Sequence, residues 1–268
     1  MKKALLGAIA AISLSSTAFA ADLPARTYSK APAPVVTPVY NWGGFYLGVN
    51  GGGGSVRSCW TAVGTNFGAL NPTIPEGCHS GTGGTVGGQV GYRWQATNWV
   101  FGVEAQGNWA NFKGSNLNNS AAGAFGQVND VTKTNAFGLF TGQVGYAFNN
   151  VLIYGKGGAA VVADKYSEPL TALGVAAAGA GTFVGQNFAT GSETRWGGAV
   201  GAGIEFGFAP NWSVGLEYDH IFTAKNNVTL NLLPPFPAWT ITHNISQDID
   251  IGMVRVNYTF GGPVIAKY

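Results

Sequence analysis

The chain has 268 residues, of which 46% are hydrophobic, 13% aromatic and only 10% charged. The charged share is far below the roughly 25% of soluble globular domains, and the apolar share excludes an intrinsically disordered chain. The formal net charge is only +2 and the basic residues form no cluster, so the sequence does not indicate nucleic-acid binding.

Residues 1–20 have the pattern of a secretory signal peptide. Two lysines precede an apolar run over residues 4–14, and Ala18-Phe19-Ala20 places small residues at the cleavage positions. The apolar run is shorter than the ~20 residues of a membrane-spanning helix, which makes an N-terminal anchor the weaker interpretation. Cleavage after Ala20 removes both lysines and leaves 12 basic against 12 acidic residues.

Residues 21–41 contain four prolines and precede the first strand-like stretch. Proline-rich segments favour extended, polyproline-like chain. We therefore predict a periplasmic tether, either as a plain linker or as a segment that docks on cell-wall polymers.

One strand-end pattern recurs four times: aliphatic, any, aromatic, any, aromatic. The copies start 54, 60 and 52 residues apart and are 90–94, 144–148, 204–208 and 256–260. Each of the first three is followed by a short turn and another strand, and residues 45–49 supply one strand before the first copy. One hairpin per repeat over eight strands predicts an all-β fold, a closed antiparallel up-and-down barrel over residues 42–260, with 261–268 as a C-terminal extension.

The connections of the predicted barrel are asymmetric. Those after the repeated strand ends have two to four residues, at 95–98, 149–150 and 209–211. Those at the other end are long and are predicted at 55–83, 112–131, 165–191 and 224–244. The glycines of the third long loop argue against a stable helix there. Outer-membrane barrels have short periplasmic turns and long external loops, so the chain is predicted to span the bacterial outer membrane in this orientation.

Apolar and polar residues alternate along the strands. In the hairpin over residues 84–109, Val90 and Tyr92 share one parity while Gln89 and Arg93 take the other. The eighth strand is irregular, because an odd-parity apolar run over 249–253 meets an even-parity run over 254–260. A β-bulge near Gly252, or an upper strand that projects beyond the bilayer, would reconcile the two.

The chain resembles a known family at Ala21-Asp22-Leu23-Pro24, at Trp42-Gly43-Gly44-Phe45-Tyr46-Leu47-Gly48 and at the final strand Val254-Arg255-Val256-Asn257-Tyr258-Thr259-Phe260. These segments are similar to those of the small outer-membrane β-barrel proteins of alphaproteobacteria, which in turn resemble the membrane domain of OmpA. The resemblance implies a closed eight-stranded barrel with roles in envelope integrity and surface exposure, and some members carry porin-like or haem-binding roles. Such barrels commonly end at an aromatic assembly signal, whereas here eight residues follow Phe260, so either Phe260 or Tyr268 takes that part.

Charged residues collect on the inward parity. Four are basic and four acidic: Arg93, Lys156, Arg195 and Arg255 against Glu104, Glu205, Glu217 and Asp219. Side chains nearly fill the lumen of an eight-stranded barrel, so this balance favours an ion-paired plug over a polar pore. The same pairing explains Glu217 and Asp219 better than a paired-carboxylate catalytic site does, and we predict no enzymatic activity and no cofactor or metal.

Aromatic residues at the strand ends are predicted to form a periplasmic girdle in the membrane interface. Its members are Trp42, Trp94, Trp99, Phe148, Phe208, Trp212 and Phe260.

Cys59 and Cys78 lie in the first long loop, and in an exported chain a disulfide between them is the expected state. A metal site with His79 is the weaker alternative, because a fourth ligand is missing. His79 and His243 could also approach each other above the barrel and hold haem or a metal, although isolated loop histidines are usually only polar surface.

We therefore predict a structural outer-membrane protein that supports the envelope and presents four surface loops. Its expected partners are outer-membrane lipid, lipopolysaccharide, the outer-membrane assembly machinery, and peptidoglycan or envelope proteins. The alternatives are a small-solute porin and a protein whose loops bind haem, a host surface or a phage. A soluble lipocalin-like barrel would require a polar exterior and an apolar interior.

Overall fold

The computed structural model describes residues 40–118, 127–178, 182–234 and 238–261. The strands are β1 Gly44–Thr65, β2 Gly68–Ala96, β3 Trp99–Asn118, β4 Val128–Phe148, β5 Val151–Pro169, β6 Asn187–Ala209, β7 Trp212–Leu232 and β8 Thr240–Phe260, with the helix α1 Ala172–Ala178 after β5. Each strand pairs antiparallel with the next, and β8 pairs with β1, so the sheet closes. The predicted eight-stranded up-and-down barrel is confirmed.

The three short turns define the lower end of the barrel. Thr97, Asn149 and Asn211 each adopt a positive φ there, at 57°, 54° and 68°. Asparagine tolerates this left-handed region better than most residues, which is why two of the three turns use it. The connections that were predicted to be long lie at the upper end.

The predicted long loops were wrong in extent, because strands continue through most of them. β1 and β2 extend to Thr65 and from Gly68, so the first connection is a tight hairpin. The strands have 19 to 29 residues, about two to three times the 9–11 needed to cross a bilayer. In-and-out alternation and backbone pairing therefore continue above the membrane, where the outward face is no longer held to apolar residues and the sequence pattern weakens.

The third connection contains a short helix despite its glycines. The Thr171 hydroxyl accepts a hydrogen bond from the backbone N–H of Gly174 at 3.3 Å, and it donates to the carbonyl of Gln127 at 2.8 Å. This N-cap satisfies a free amide of the first helical turn. None of the helices in the described parts of the chain is long enough or apolar enough to cross a membrane.

The outward face carries an apolar belt that begins at the lower end and rises about halfway up the strands. Its upper limit is marked by two strongly exposed indoles, Trp109 at 74% and Trp196 at 65%. The four repeated strand ends project outward in the lower half of this belt. The segments within the belt are the membrane-spanning ones, and a lipocalin-like barrel with a polar exterior is thereby excluded.

The bulge near Gly252, one of two explanations offered for the irregular eighth strand, is not found in β8. β8 keeps one continuous register with β1 from Phe260 at the lower end up to His243. Ile249, Ile251 and Met253 all face the interior, where they belong to an apolar layer. The two apolar runs of the sequence therefore occupy opposite faces of one regular strand.

Trp42 does not belong to the girdle, because it is buried at the base of the barrel and only 1% exposed. Its indole N–H donates to the carbonyl of Asn149 at 3.3 Å, and its ring lies 4.5 Å from that of Tyr40. Trp42 precedes β1 and turns under the wall, with the same parity as the inward-facing Tyr46. Among the described residues, Tyr40 and Asn41 of the predicted tether already belong to the base of the barrel.

The remaining girdle candidates project outward at the lower end and are 44–56% exposed. They are Trp94, Trp99, Phe148, Phe208, Trp212 and Phe260. Neighbouring rings touch, as between Phe45 and Phe260 at 5.6 Å, which joins the first strand to the last.

The disulfide between Cys59 and Cys78 joins directly opposed residues of β1 and β2. Above it, residues 68–77 of β2 pair only with β1 among the described strands, because the pairing of β2 with β3 begins at Gly81. The bond therefore ties down a stretch that has lost one of its two neighbours.

We expect the double variant Cys59→Ser/Cys78→Ser to loosen residues 68–77 and leave the barrel intact. Closing a loop of this length contributes about 3 kcal/mol in the chain-entropy model. Amide hydrogen exchange should therefore rise in 68–77 and stay unchanged in the lower strands. Unchanged exchange in the hairpin, or faster exchange throughout the barrel, would contradict this, as would two free thiols in the unreduced protein.

Candidate functional site

The centre of the lumen is occupied by Arg255, which links three strands. Its guanidinium on β8 donates to the carboxylates of Glu104 on β3 and Glu217 on β7. These side chains are at most 1% exposed. Two tyrosine hydroxyls complete the site, since Tyr46 donates to Glu104 at 2.6 Å and Tyr154 donates to Glu217 at 2.5 Å.

Lys156 on β5 is the second cation of this centre. Its ammonium nitrogen lies 2.7 Å from Glu217, 3.2 Å from Asp219 and 3.5 Å from Glu104. One ammonium group therefore serves three carboxylates, which holds β5 against β3 and β7 across the lumen. A lysine suits this arrangement because its three donors are not fixed in a plane.

Arg93 and Glu205 form a third pair nearer the lower end. Two parallel contacts join them, at 2.9 and 3.3 Å. Glu205 also accepts hydrogen bonds from the Ser213 hydroxyl and from the Asn257 amide, the latter at 2.7 Å. The Arg93 guanidinium lies 4.4 Å from the centre of the Tyr46 ring, a cation–π distance.

One of the eight predicted charges, Arg195, lies outside the central cluster that the other seven form. Arg195 lies higher in the barrel and pairs at 3.2 Å with Asp164, a residue absent from the predicted set. The central network therefore has three cations, Arg93, Lys156 and Arg255, against Glu104, Glu205, Glu217 and Asp219. The eight predicted charges are therefore divided between two networks at different heights, because parity gives the face of a residue and not its height.

All eight predicted charges are nevertheless buried inside the barrel, at 6% exposure or less. Sequence reasoning missed the polar residues that serve them, chiefly Tyr46, Tyr154, Gln89 and Asn108. Gln89 donates to Asn257 at 2.7 Å, and Asn108 contacts the amide oxygen of Asn50. The inward parity of these residues was the signal that could have found them.

Apolar layers separate the charged ones along the axis. Beneath the central network lies a base that includes Trp42, Val100 and Leu152. Above it lies a layer of eleven buried residues that includes Phe112, Leu139 and Ile249. The Arg195 pair follows, and the top holds a third apolar cluster around Trp60. Each level of the described lumen is thus filled by side chains.

The comparisons with known proteins fit this architecture. A family model described as an outer membrane protein beta-barrel domain matches residues 6–234. The chain belongs to this family. It is an outer-membrane protein, and the resemblance seen in its sequence is confirmed.

The relatives of this outer-membrane barrel include alphaproteobacterial proteins. It is 32% identical over 237 residues to the 31 kDa outer-membrane immunogenic protein of Brucella melitensis, covering 85% of this chain and 90% of that one. It is 30% identical over 183 residues to the 22 kDa outer membrane protein of Rhizobium leguminosarum bv. viciae, covering 68% and 65%. Among solved structures, the outer-membrane protease OmpT of Escherichia coli aligns with a TM-score of 0.46 at 9% identity, covering 84% and 98%.

The two histidines weighed as ligands lie on either side of Trp60 inside the upper barrel. Both ring nitrogens of His79 are engaged, with Asn116 at 2.7 Å and Thr132 at 3.0 Å. His243 contacts Glu76 at 3.0 Å and Glu168 at 3.4 Å. Within the described ranges, no group of three or more His, Cys, Asp or Glu side chains could hold a metal ion.

A buried acidic cluster surrounds His243 above the membrane-spanning segments. It consists of Glu76, Asp130 and Glu168. Burial raises the pKa of Asp130 to about 8, and the charges of Glu168 and Glu76 add to the increase. Burial also raises the pKa of Glu168 to about 7, against the opposing effect of His243. Burial lowers the pKa of His243, but Glu76 and Glu168 outweigh it and the net pKa is raised.

These pKa directions predict that the upper barrel loses stability as the pH rises. Asp130 and Glu168 bind protons more tightly in the folded state, so the free energy of unfolding falls from about pH 4 towards their folded pKa values. The contribution of His243 is also lost as the pH rises through its raised pKa. The Asp130→Asn variant should flatten this dependence and gain at least about 1 kcal/mol over wild type at pH 8.

Thermal unfolding of the detergent-refolded protein at pH 5 and pH 8 checks this. Asp248→Asn, which removes an exposed carboxylate from β8, is the matched control and should keep the wild-type pH dependence. Equal pH dependence in Asp130→Asn and wild type would contradict the prediction.

Proposed function

We propose that the protein is a structural, non-conducting and non-enzymatic component of the outer membrane that presents rigid hairpins at the cell surface. The observation that carries the proposal is the filled lumen. Three cations and four carboxylates link opposite sides of the wall, and apolar layers lie above and below them.

A small-solute porin is the competing function, and the arrangement of charges inside the lumen does not favour it. Selective pores line their lumen with rings of one sign and keep water along the axis. Here Arg255 reaches two carboxylates on other strands, and Arg93 is 2% exposed. Side chains that are engaged with partners across the lumen do not form the ring of single-sign charge that a selective pore uses.

The upper hairpins support a role at the surface. β1 and β2 continue well above the apolar belt, and the bond between Cys59 and Cys78 fixes their hairpin. The Brucella relative is named as an immunogenic outer-membrane protein, which fits a family whose upper parts face the cell exterior. We propose presentation of this surface without assigning it haem, a host surface or a phage as ligand.

The segments outside the barrel keep their predicted roles as part of this proposal. The signal peptide over 1–20, most of the tether over 21–41 and nearly all of the extension over 261–268 lie outside the described residues. We keep three predictions from the sequence: export through a cleaved signal, insertion by the outer-membrane assembly machinery, and contact of the tether with peptidoglycan or envelope proteins. The aromatic assembly signal is predicted to be either Phe260 or Tyr268.

The Arg93→Ala variant tests the filled lumen. Loss of the Arg93 guanidinium leaves the Glu205 carboxylate buried without a cation. Breaking a buried pair from one side costs about 3–5 kcal/mol in the free energy of unfolding. We expect wild type to show little or no conductance in planar bilayers, while the variant unfolds at lower temperature and leaks. Arg57→Ala, at an exposed position on the exterior of β1, is the matched control and should change neither property.

The opposite pattern would reject the proposal in favour of a porin. It would consist of a large, stable wild-type conductance, with altered ion selectivity and unchanged thermal stability in Arg93→Ala.

A further inference from the structure

Three lysines form a row across the outside of the barrel. Lys113 on β3 lies directly opposite Lys133 on β4, and Lys133 lies directly opposite Lys165 on β5. All three are exposed and point away from the lumen. Adjacent strands are about 4.8 Å apart, so three positive charges lie within roughly 10 Å.

Within the described parts of the chain, this lysine row has no acidic side chain paired with it. The ion pairs of the described residues involve none of the three. Like charges directly opposite each other destabilise a sheet. Elsewhere on the outer wall the pairing differs, because Arg57 lies opposite Asp248 in the register of β1 and β8. The lysine row is therefore a one-sided concentration of positive charge.

The lysine row lies just above the apolar belt, at the level of the lipid headgroups. Trp109 lies four residues below Lys113 on β3, and Trp196 closes the apolar belt on β6. Exposed tryptophans at the edge of an apolar belt mark the membrane interface. The ammonium groups thus lie just outside the hydrocarbon, on the side away from the periplasmic turns.

Space for a headgroup is present beside the row. The three lysines line an open depression of about 840 Å³ on the outer wall. Its other lining residues offer hydroxyl and amide groups, among them Ser192, Thr229 and Asn231. Such groups suit the oxygens of a sugar or a phosphate ester.

We propose that the lysine row binds the phosphate groups of the glycolipid in the outer leaflet, lipid A. A lipid headgroup fits better than a soluble anion, because the acyl chains of a bound lipid would lie along the apolar belt directly below the row. Binding would also remove the repulsion among the lysines. The site depends on the membrane position of the wall and is independent of whether the lumen conducts.

Native mass spectrometry of the refolded mature protein in detergent tests this with diphosphorylated lipid A. Each lysine near an anionic lipid surface contributes enough that Lys133→Gln/Lys165→Gln should weaken binding about 30-fold. The matched control Arg57→Gln/Lys225→Gln removes two charges from exposed positions elsewhere on the outer wall and should stay within about twofold of wild type. Heat-dependent gel migration of both variants verifies that the barrel is folded.

Two further measurements test whether the site recognises the phosphate groups and whether it prefers the lipid to a soluble anion. Lipid A stripped of its phosphates should bind to wild type as weakly as the diphosphorylated lipid binds to the lysine variant, and millimolar inorganic phosphate should not displace bound lipid. Undiminished binding by the lysine variant, an equal loss in the control or displacement by inorganic phosphate would each overturn the proposal.

Discussion

Arg255 placed between Glu104 and Glu217 is the contact on which the rest of the barrel depends. Eight strands enclose a lumen that side chains nearly fill, so a charge placed inside it must find an opposite charge there. This contact joins β8 to β3 and β7, while Lys156 adds β5 and the pair of Arg93 with Glu205 joins β2 to β6. The network thereby connects six of the eight strands through contacts that backbone pairing alone does not make.

Glycines provide the room that this network needs. A Cβ atom added at Gly91 would lie 2.5 Å from the Tyr46 hydroxyl, and one added at Gly203 would lie 2.5 Å from the Tyr154 hydroxyl. These are the two tyrosines that donate to Glu104 and Glu217. Glycine within the wall therefore lets a large ring lie flat against a neighbouring strand and carry its hydroxyl to the centre. Part of the high glycine content of the chain follows from this requirement.

The sequence predicted the lower barrel well because two constraints act there together. Lipid requires an apolar outward face, and the narrow lumen requires polar partners, so Val90 and Arg93 take opposite sides without ambiguity. Above the belt only the second constraint remains, which is why the strand extensions through Cys59 and His243 were predicted as loops. Trp42 shows a further limit, since an aromatic residue near the interface can pack beneath the wall as well as face lipid.

The height of each residue was the other quantity that the sequence could not supply. Whether Arg195 meets Asp164 or the central carboxylates depends on the register between strands, and that register is set by pairing across the whole sheet.

A double-mutant cycle on Arg93 and Glu205 tests most directly whether the lumen is closed by buried ion pairs. With Arg93→Met and Glu205→Gln, each single change should cost about 3–5 kcal/mol in the free energy of unfolding, and the double variant should cost far less than their sum. Single costs below about 0.5 kcal/mol with additive effects would instead describe a hydrated pair in an open pore.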